Sequence, residues 1–289
     1  MSFSLTRRSL LRRGGAALMA TTLPRFARAE ASAMIETALG PVQGVTEGGV
    51  TRFLGLRYAQ PISGKNRFLP PQPLAPWTVT FVAGTHADTA PQRPESVNGT
   101  PVTHAFAPPE YVKAGEDCLA LNVWTPEGAR GLPVMVWLHG GGWQSGSGSC
   151  AIYDGTRLAS RGDVIVVTLN HRLGAHGLTG FSRILGGDYA DSDNLSVKDM
   201  VAALEWVQAN IAAFGGDPDS VTIFGESGGG WKVNTLLGVP SAKGLFHRAI
   251  VQSGPLMRFH TRPKAPTRSR SSSWNTSGFP PMPRRRWKA

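Results

Sequence analysis

The chain has 289 residues, 41% of them hydrophobic, enough for one large domain or two small ones around a substantial core. Its formal charge of +11 suggests a nucleic-acid binder only until it is located: residues 1–29 hold six Arg and residues 258–289 nine Lys or Arg, neither with any acid, leaving 15 basic against 19 acidic residues in 30–257. No phosphate-binding face is implied for that mildly acidic middle, the two cysteines, Cys118 and Cys150, allow one disulfide at most and suggest no metal site, and no apolar run approaches the length of a membrane span.

Residues 1–29 read as an export signal. Paired Arg7-Arg8 precede Leu10-Leu11, a short apolar run from Gly14 to Leu23 follows, and Ala27-Arg28-Ala29 has the small-residue spacing of a cleavage site, with a second at Ala31-Ser32-Ala33. The pattern is that of a twin-arginine signal, an address read by the Tat export machinery rather than an anchor, and it implies a periplasmic or secreted protein.

Residues 34–58 predict short antiparallel edge strands, broken at Gly40-Pro41 and Gly48-Gly49. From Pro61 to Pro109 the chain is Pro-rich and irregular. It carries Phe68, Leu69, Trp77 and Phe81, too many large apolar groups for a solvated linker. Leu119, Leu121 and Val123 alternate with smaller or polar residues, which predicts a strand with one buried face. Leu132–Leu138 is continuously apolar and predicts a central strand covered on both faces. A third strand is expected over Asp163–Leu169. Val197, Val201, Leu204, Val207, Ile211 and Phe214 form one helical stripe, stopped by Gly215-Gly216-Asp217-Pro218. A strand at Val221–Phe224, a helix from Gly228 to Leu237 and a last strand at Ala249–Gln252 complete an alternation that indicates a mostly parallel α/β sheet. The tail, residues 258–289, has no acid and no periodic apolar face. It is expected to be disordered, and so abrupt a change of composition also fits a gene end read in a shifted frame.

The chemistry is concentrated at Gly225-Glu226-Ser227-Gly228-Gly229, a G-x-S-x-G pattern between a predicted strand and a predicted helix. With 35 glycines in the chain such a match can arise by chance, so its context must decide. Acyl transfer at serine needs an activated hydroxyl, a base held by an acid, and N–H donors aimed at the developing oxyanion. Ser227 supplies the hydroxyl. Gly228 and the Gly140-Gly141-Gly142 run, directly after the apolar strand, occupy the places where such donors are expected.

Residues 34–257 resemble the type-B carboxylesterases, the cholinesterase-like branch of the α/β-hydrolases. The resemblance is carried by Glu116-Asp117-Cys118-Leu119 through Pro126, by His139-Gly140-Gly141-Gly142-Trp143, and by Phe214-Gly215-Gly216-Asp217-Pro218 through Gly229. Phe246–Ile250 with Gln252-Ser253-Gly254 adds a looser match. It implies an α/β-hydrolase fold over 30–257, of which this chain would hold the N-terminal part, and hydrolysis of a small-molecule carboxylic ester without a cofactor. By the same resemblance Ser227 is the nucleophile, Gly141, Gly142 and Gly228 furnish the oxyanion hole, Glu226 tunes the pocket and Trp143 helps wall it. Oligomeric state is not implied.

Departures from the pattern are also legible. The upstream cysteine that often pairs with the position of Cys118 is missing, so Cys118 is expected to be a free buried thiol, and a Cys118–Cys150 bridge has nothing to support it. Gly228 stands where Ala is usual, a change expected to matter little. In this fold the order is Ser, then acid, then His, yet no Asp or Glu follows Ser227, and the only later histidines are His247 and His260. The family is roughly twice this length, so the chain is expected to be truncated and to turn over weakly. An inert fragment and a non-catalytic binding protein on the same fold are the alternatives. The intact Ser227 elbow argues against the second.

Overall fold

The computed structural model describes residues 30–93 and 106–254; the expected export signal, residues 1–29, and the basic tail, residues 258–289, lie outside the described residues. Nine strands form one sheet: β1 Glu30–Thr37, β2 Gly40–Glu47, β3 Val50–Arg57, β4 Phe81–Val82, β5 Ala120–Pro126, β6 Leu132–Leu138, β7 Ile165–Leu169, β8 Gly216–Glu226 and β9 Arg248–Gln252. The helices are α1 Thr156–Ala159, α2 Gly174–Leu178, α3 Ser182–Leu185, α4 Leu195–Asn210 and α5 Gly228–Leu237. Strand order is β1-β2-β3-β5-β7-β6-β8-β9, with β4 beside β2. The β1–β2, β2–β3, β3–β5 and β5–β7 pairs are antiparallel, and β7, β6, β8 and β9 run parallel. This is the α/β-hydrolase arrangement expected from the sequence: an antiparallel N-terminal edge continuing into a parallel centre.

One face of the sheet presents Val134, Val136, Leu138, Val167, Leu169, Val221 and Ile223 to Met200, Leu204 and Val207 of α4 and Val233 and Leu236 of α5. Phe214, on the 3-10 turn that ends α4, meets Phe53 edge-on at 4.9 Å. A smaller cluster on the other face joins Val50, Leu54, Trp124 and Val166 to Ala159 of α1. Each buried aliphatic side chain contributes about 1.5–3 kcal/mol, and the first cluster therefore fixes both long helices on one face.

Two burial expectations are reversed. All seven residues of β5 are buried, not one face alone. Asn122 is satisfied within the sheet, its Oδ1 accepting from the Gly55 N–H at 2.9 Å and its Nδ2 donating to Thr168 Oγ1 at 2.9 Å, and Thr125 Oγ1 donates to the Phe214 carbonyl at 2.8 Å, so alternation of apolar and polar residues did not mean alternation of core and solvent. Conversely β6 buries Val134, Val136 and Leu138 but leaves Met135 and Trp137 half-buried. Trp137 is contacted by Tyr153 at 5.0 Å and Phe224 at 4.9 Å, with no long helix laid across it among the described residues.

Boundaries shift as well. β7 starts at Ile165 rather than Asp163. β8 begins at Gly216, directly after Gly215 closes the preceding turn at φ 85°. The register between β6 and β8 slips between the pairs Leu132↔Gly216 and Val134↔Val221, and Pro218 falls in that slipped stretch, where a missing backbone N–H is tolerated. Cys118 and Cys150 are both buried and are not bridged. Burial raises the Cys118 thiol far above its usual range, so it stays protonated and inert.

Candidate active site

Ser227 joins β8 to α5 at φ 53° and ψ −119°, a backbone region that a residue with a Cβ enters only when its surroundings enforce it. Two backbone hydrogen bonds hold it there. Its N–H donates to the Gln252 carbonyl of β9 at 2.9 Å, and its own carbonyl accepts from the Trp231 N–H at 3.1 Å. The surrounding glycines are demanded by packing. A Cβ at Gly225 would stand 2.6 Å from the Gly229 carbonyl carbon and 2.7 Å from the Leu138 oxygen, and one at Gly229 would collide with that same Leu138 oxygen. Strand, turn and helix pass so closely that the serine side chain is forced outward, and Ser227 is exposed.

The register pairs Leu138 with Gly225, so the loop after β6 and the elbow after β8 emerge together at the carboxyl end of the parallel strands, where ligands bind in open α/β sheets. Gly141 and Gly142 take φ of 82° and 63°, a conformation natural only to glycine. The loop is tied down from outside. Gln92 Nε2 donates to the Gly146 carbonyl at 3.0 Å, Gln92 Oε1 accepts from the Gly146 N–H at 2.8 Å, and the Gly174 N–H donates to the Trp143 carbonyl at 2.7 Å. Gly142 lies against Gly228 so tightly that a Cβ on Gly228 would meet the Gly142 nitrogen and Cα. Gly228 in place of the usual Ala therefore matters here. Gly228→Ala is expected to cost about 1–3 kcal/mol through overpacking, read as a lower urea midpoint; unchanged stability would mean that the loop has room to retreat.

Glu226 is half-buried beside Gly140, its Oε2 3.5 Å from where a Gly140 Cβ would stand. Trp143 is half-buried, with Trp231 edge-on at 6.0 Å. Thus Ser227, Gly141, Gly142, Gly228, Glu226 and Trp143 gather at one end of the sheet. His247 does not join them: its Nδ1 accepts from the Val221 N–H at 3.2 Å, six residues and about 20 Å back along β8. His260 lies outside the described residues.

Three residues of this neighbourhood were not picked out from the sequence: Gln92, His171 and Lys232. His139 and His171 stack at 4.9 Å, and each Nδ1 faces a backbone carbonyl, that of Gly140 at 2.8 Å and of Arg172 at 2.7 Å. Both rings are driven well below the ordinary histidine range, first by burial and then by Lys232; they are neutral, enclosed and not placed to serve the exposed Ser227. The only signal for His171 was its position after the third core strand. No set of three His, Cys, Asp or Glu side chains among the described residues could hold a metal. A cavity of about 570 Å³ lined by Val42, Leu56, Trp77, Phe81 and Trp206 shares no residue with the elbow or its loop, and Ser227 itself is exposed.

The exposed Ser227 thus stands at the same end of the sheet as the backbone of Gly142 and Gly228, and the chain has clear relatives among known proteins. The chain is 46% identical over 222 residues to the para-nitrobenzyl esterase of Bacillus subtilis (strain 168), covering 76% of this chain and 43% of that protein. It is 42% identical over 237 residues to the acetylcholinesterase of Danio rerio, covering 79% of this chain and 36% of that one. A solved structure of a thermophylic PNB esterase superposes with a TM-score of 0.70 at 45% identity, over 76% of this chain and 44% of that chain. The chain thus spans less than half the length of the curated relatives it matches. The model of the Carboxylesterase family matches residues 31–282, and the chain belongs to that family.

Proposed function

We propose that this chain carries the nucleophile and oxyanion hole of a carboxylic ester hydrolase working through an acyl-serine intermediate. Ser227 attacks the ester carbonyl, the N–H groups of Gly141, Gly142 and Gly228 receive the developing oxyanion, and Glu226 and Trp143 shape the entrance. The observation that carries the reading is the exposed serine held at positive φ, with the backbone of Gly142 packed against Gly228 beside it. The helix start at Gly228 adds N–H groups free of intrahelical partners and a favourable dipole for negative charge. No cofactor enters this scheme. The substrate class is a small carboxylic ester, and the paired arginines favour delivery beyond the inner membrane by the twin-arginine route.

No Asp or Glu follows Ser227 in this sequence. Donors and binding alone, without base and acid, leave about 10³–10⁴-fold acceleration over water, so weak turnover is expected of the residues gathered here by themselves. The test uses a fluorophosphonate probe and intact mass. One adduct per chain, mapped to Ser227 and absent from Ser227→Ala, is the expected result. Labelling that persists in Ser227→Ala would overturn the assignment.

A further inference from the structure

We propose that Lys232 is a positioning residue, tying the glycine loop to the helix behind the nucleophile through the His139 carbonyl and the Trp143 ring. The inference rests on reading Ser227 as nucleophile and Gly141 and Gly142 as donors.

Lys232 is fully buried on the inner side of α5, and no carboxylate among the described residues pairs with it. A buried, unpaired lysine is costly, yet its placement is specific. Nζ donates to the His139 carbonyl at 2.7 Å and lies 5.8 Å from the centre of the Trp143 ring. The carbonyl belongs to the peptide unit joining His139 to Gly140, whose orientation sets how the chain enters the triplet; Trp143 is where the chain leaves it. One amine therefore touches both ends of the loop. It does so from the helix that Ser227 opens, five residues earlier, so loop and hydroxyl share one rigid support. Small displacements of a catalytic group cost rate steeply, and a donor fixed from within the helix limits them.

Burial brings the Lys232 amine down to about 7. The charged form is the stronger hydrogen-bond donor and the one a ring face attracts, so the tether slackens as the proton leaves. The groups coupled to it are His139, after β6, and His171, after β7, both neutral. Glu226, ending β8, is the carboxylate beside Gly140.

The experiment compares wild-type full chain with Lys232→Met, which keeps the volume and removes the donor. Fluorophosphonate labelling of Ser227 is timed at about pH 6 and about pH 8.5, and amide hydrogen exchange is followed in residues 139–144. Expected is labelling slower by more than about tenfold in the variant at the lower pH, a gap that closes at the higher pH as the wild-type amine deprotonates, and faster exchange in the loop. Equal labelling at both pH values with unchanged exchange overturns the tether while leaving Ser227 as nucleophile. Labelling absent from Ser227 in the wild type, with the exchange difference intact, overturns the nucleophile and leaves the tether. Should the variant fail to fold, wild-type exchange decides: loop protection, corrected for intrinsic rate, falls between the two pH values if the tether is real and stays level if it is not.

Discussion

Asp199→Ala is expected to cost about 3–5 kcal/mol. Asp199 on α4 and Arg172 after β7 are both buried, and their carboxylate and guanidinium oppose each other squarely. Arg172 Nε donates to Asp199 Oδ2 at 2.8 Å, Nη2 donates to Oδ1 at 2.5 Å, and the Arg172 backbone N–H donates to Oδ2 at 3.0 Å. The remaining groups are also occupied, Nη1 by the Leu69 carbonyl at 2.6 Å and the Arg172 carbonyl by Ser196 Oγ at 2.6 Å. Removing the carboxylate strands a cation that cannot deprotonate, in a place without water. Its neighbour Tyr58, whose phenol is held well above its usual range by burial and then by Asp199, donates to the Asn170 carbonyl at 2.7 Å and cannot take the charge. Urea unfolding followed by circular dichroism checks this; a variant within about 1 kcal/mol of wild type would mean the pair is not isolated from solvent.

The second large effect concerns pH. A lysine amine lowered from 10.5 to about 7 on folding corresponds to roughly 5 kcal/mol of lost stability when both states are protonated. Between those values the unfolded chain binds the proton and the folded one does not, so stability rises with pH across that window. Below about pH 7 the penalty is complete and constant; above about 10.5 it is gone. Lys232→Met removes the group from both states. The variant is expected to be several kcal/mol more stable than wild type at neutral pH, less the contribution of one hydrogen bond, and to lack the rise towards alkaline pH. Urea midpoints at about pH 7 and pH 9.5 test it, and a wild type whose midpoint is level across that interval contradicts it. With the tether inferred above, the substitution would trade activity for stability, as groups kept for function often do.

How much of this could be read beforehand depends on which physical signal each residue leaves. The strand at Val221–Phe224, the helix from Gly228 to Leu237 and the glycine run after Leu138 were legible because apolar runs and glycine clusters report sheet centres and close backbone approaches directly. The burial of β5 was not, because Asn122 finds partners on the neighbouring strands β3 and β7 and Thr125 on the Phe214 carbonyl, contacts distant in the chain. Trp137 misled for the opposite reason: an apolar side chain does not say whether a second layer covers it. Lys232 left no trace, since a lysine on a helix is by default solvated and only the tertiary fold turned it inward. The candidate site was readable in its exposed serine and its glycines and unreadable in what braces them.

The order of the strands bears on how the chain comes together during synthesis. β5 and β6 are neighbours in sequence, separated by a short turn, but in the sheet β7 lies between them. A nascent chain that has emerged only as far as Leu138 has nothing to place in that gap, and a direct β5–β6 hairpin would be a wrong pairing that must be undone. Residues 165–169 act as the keystone, antiparallel to one neighbour and parallel to the other. Non-local insertion of this kind is slow, and chaperone dependence should be greatest while the ribosome is between those two points.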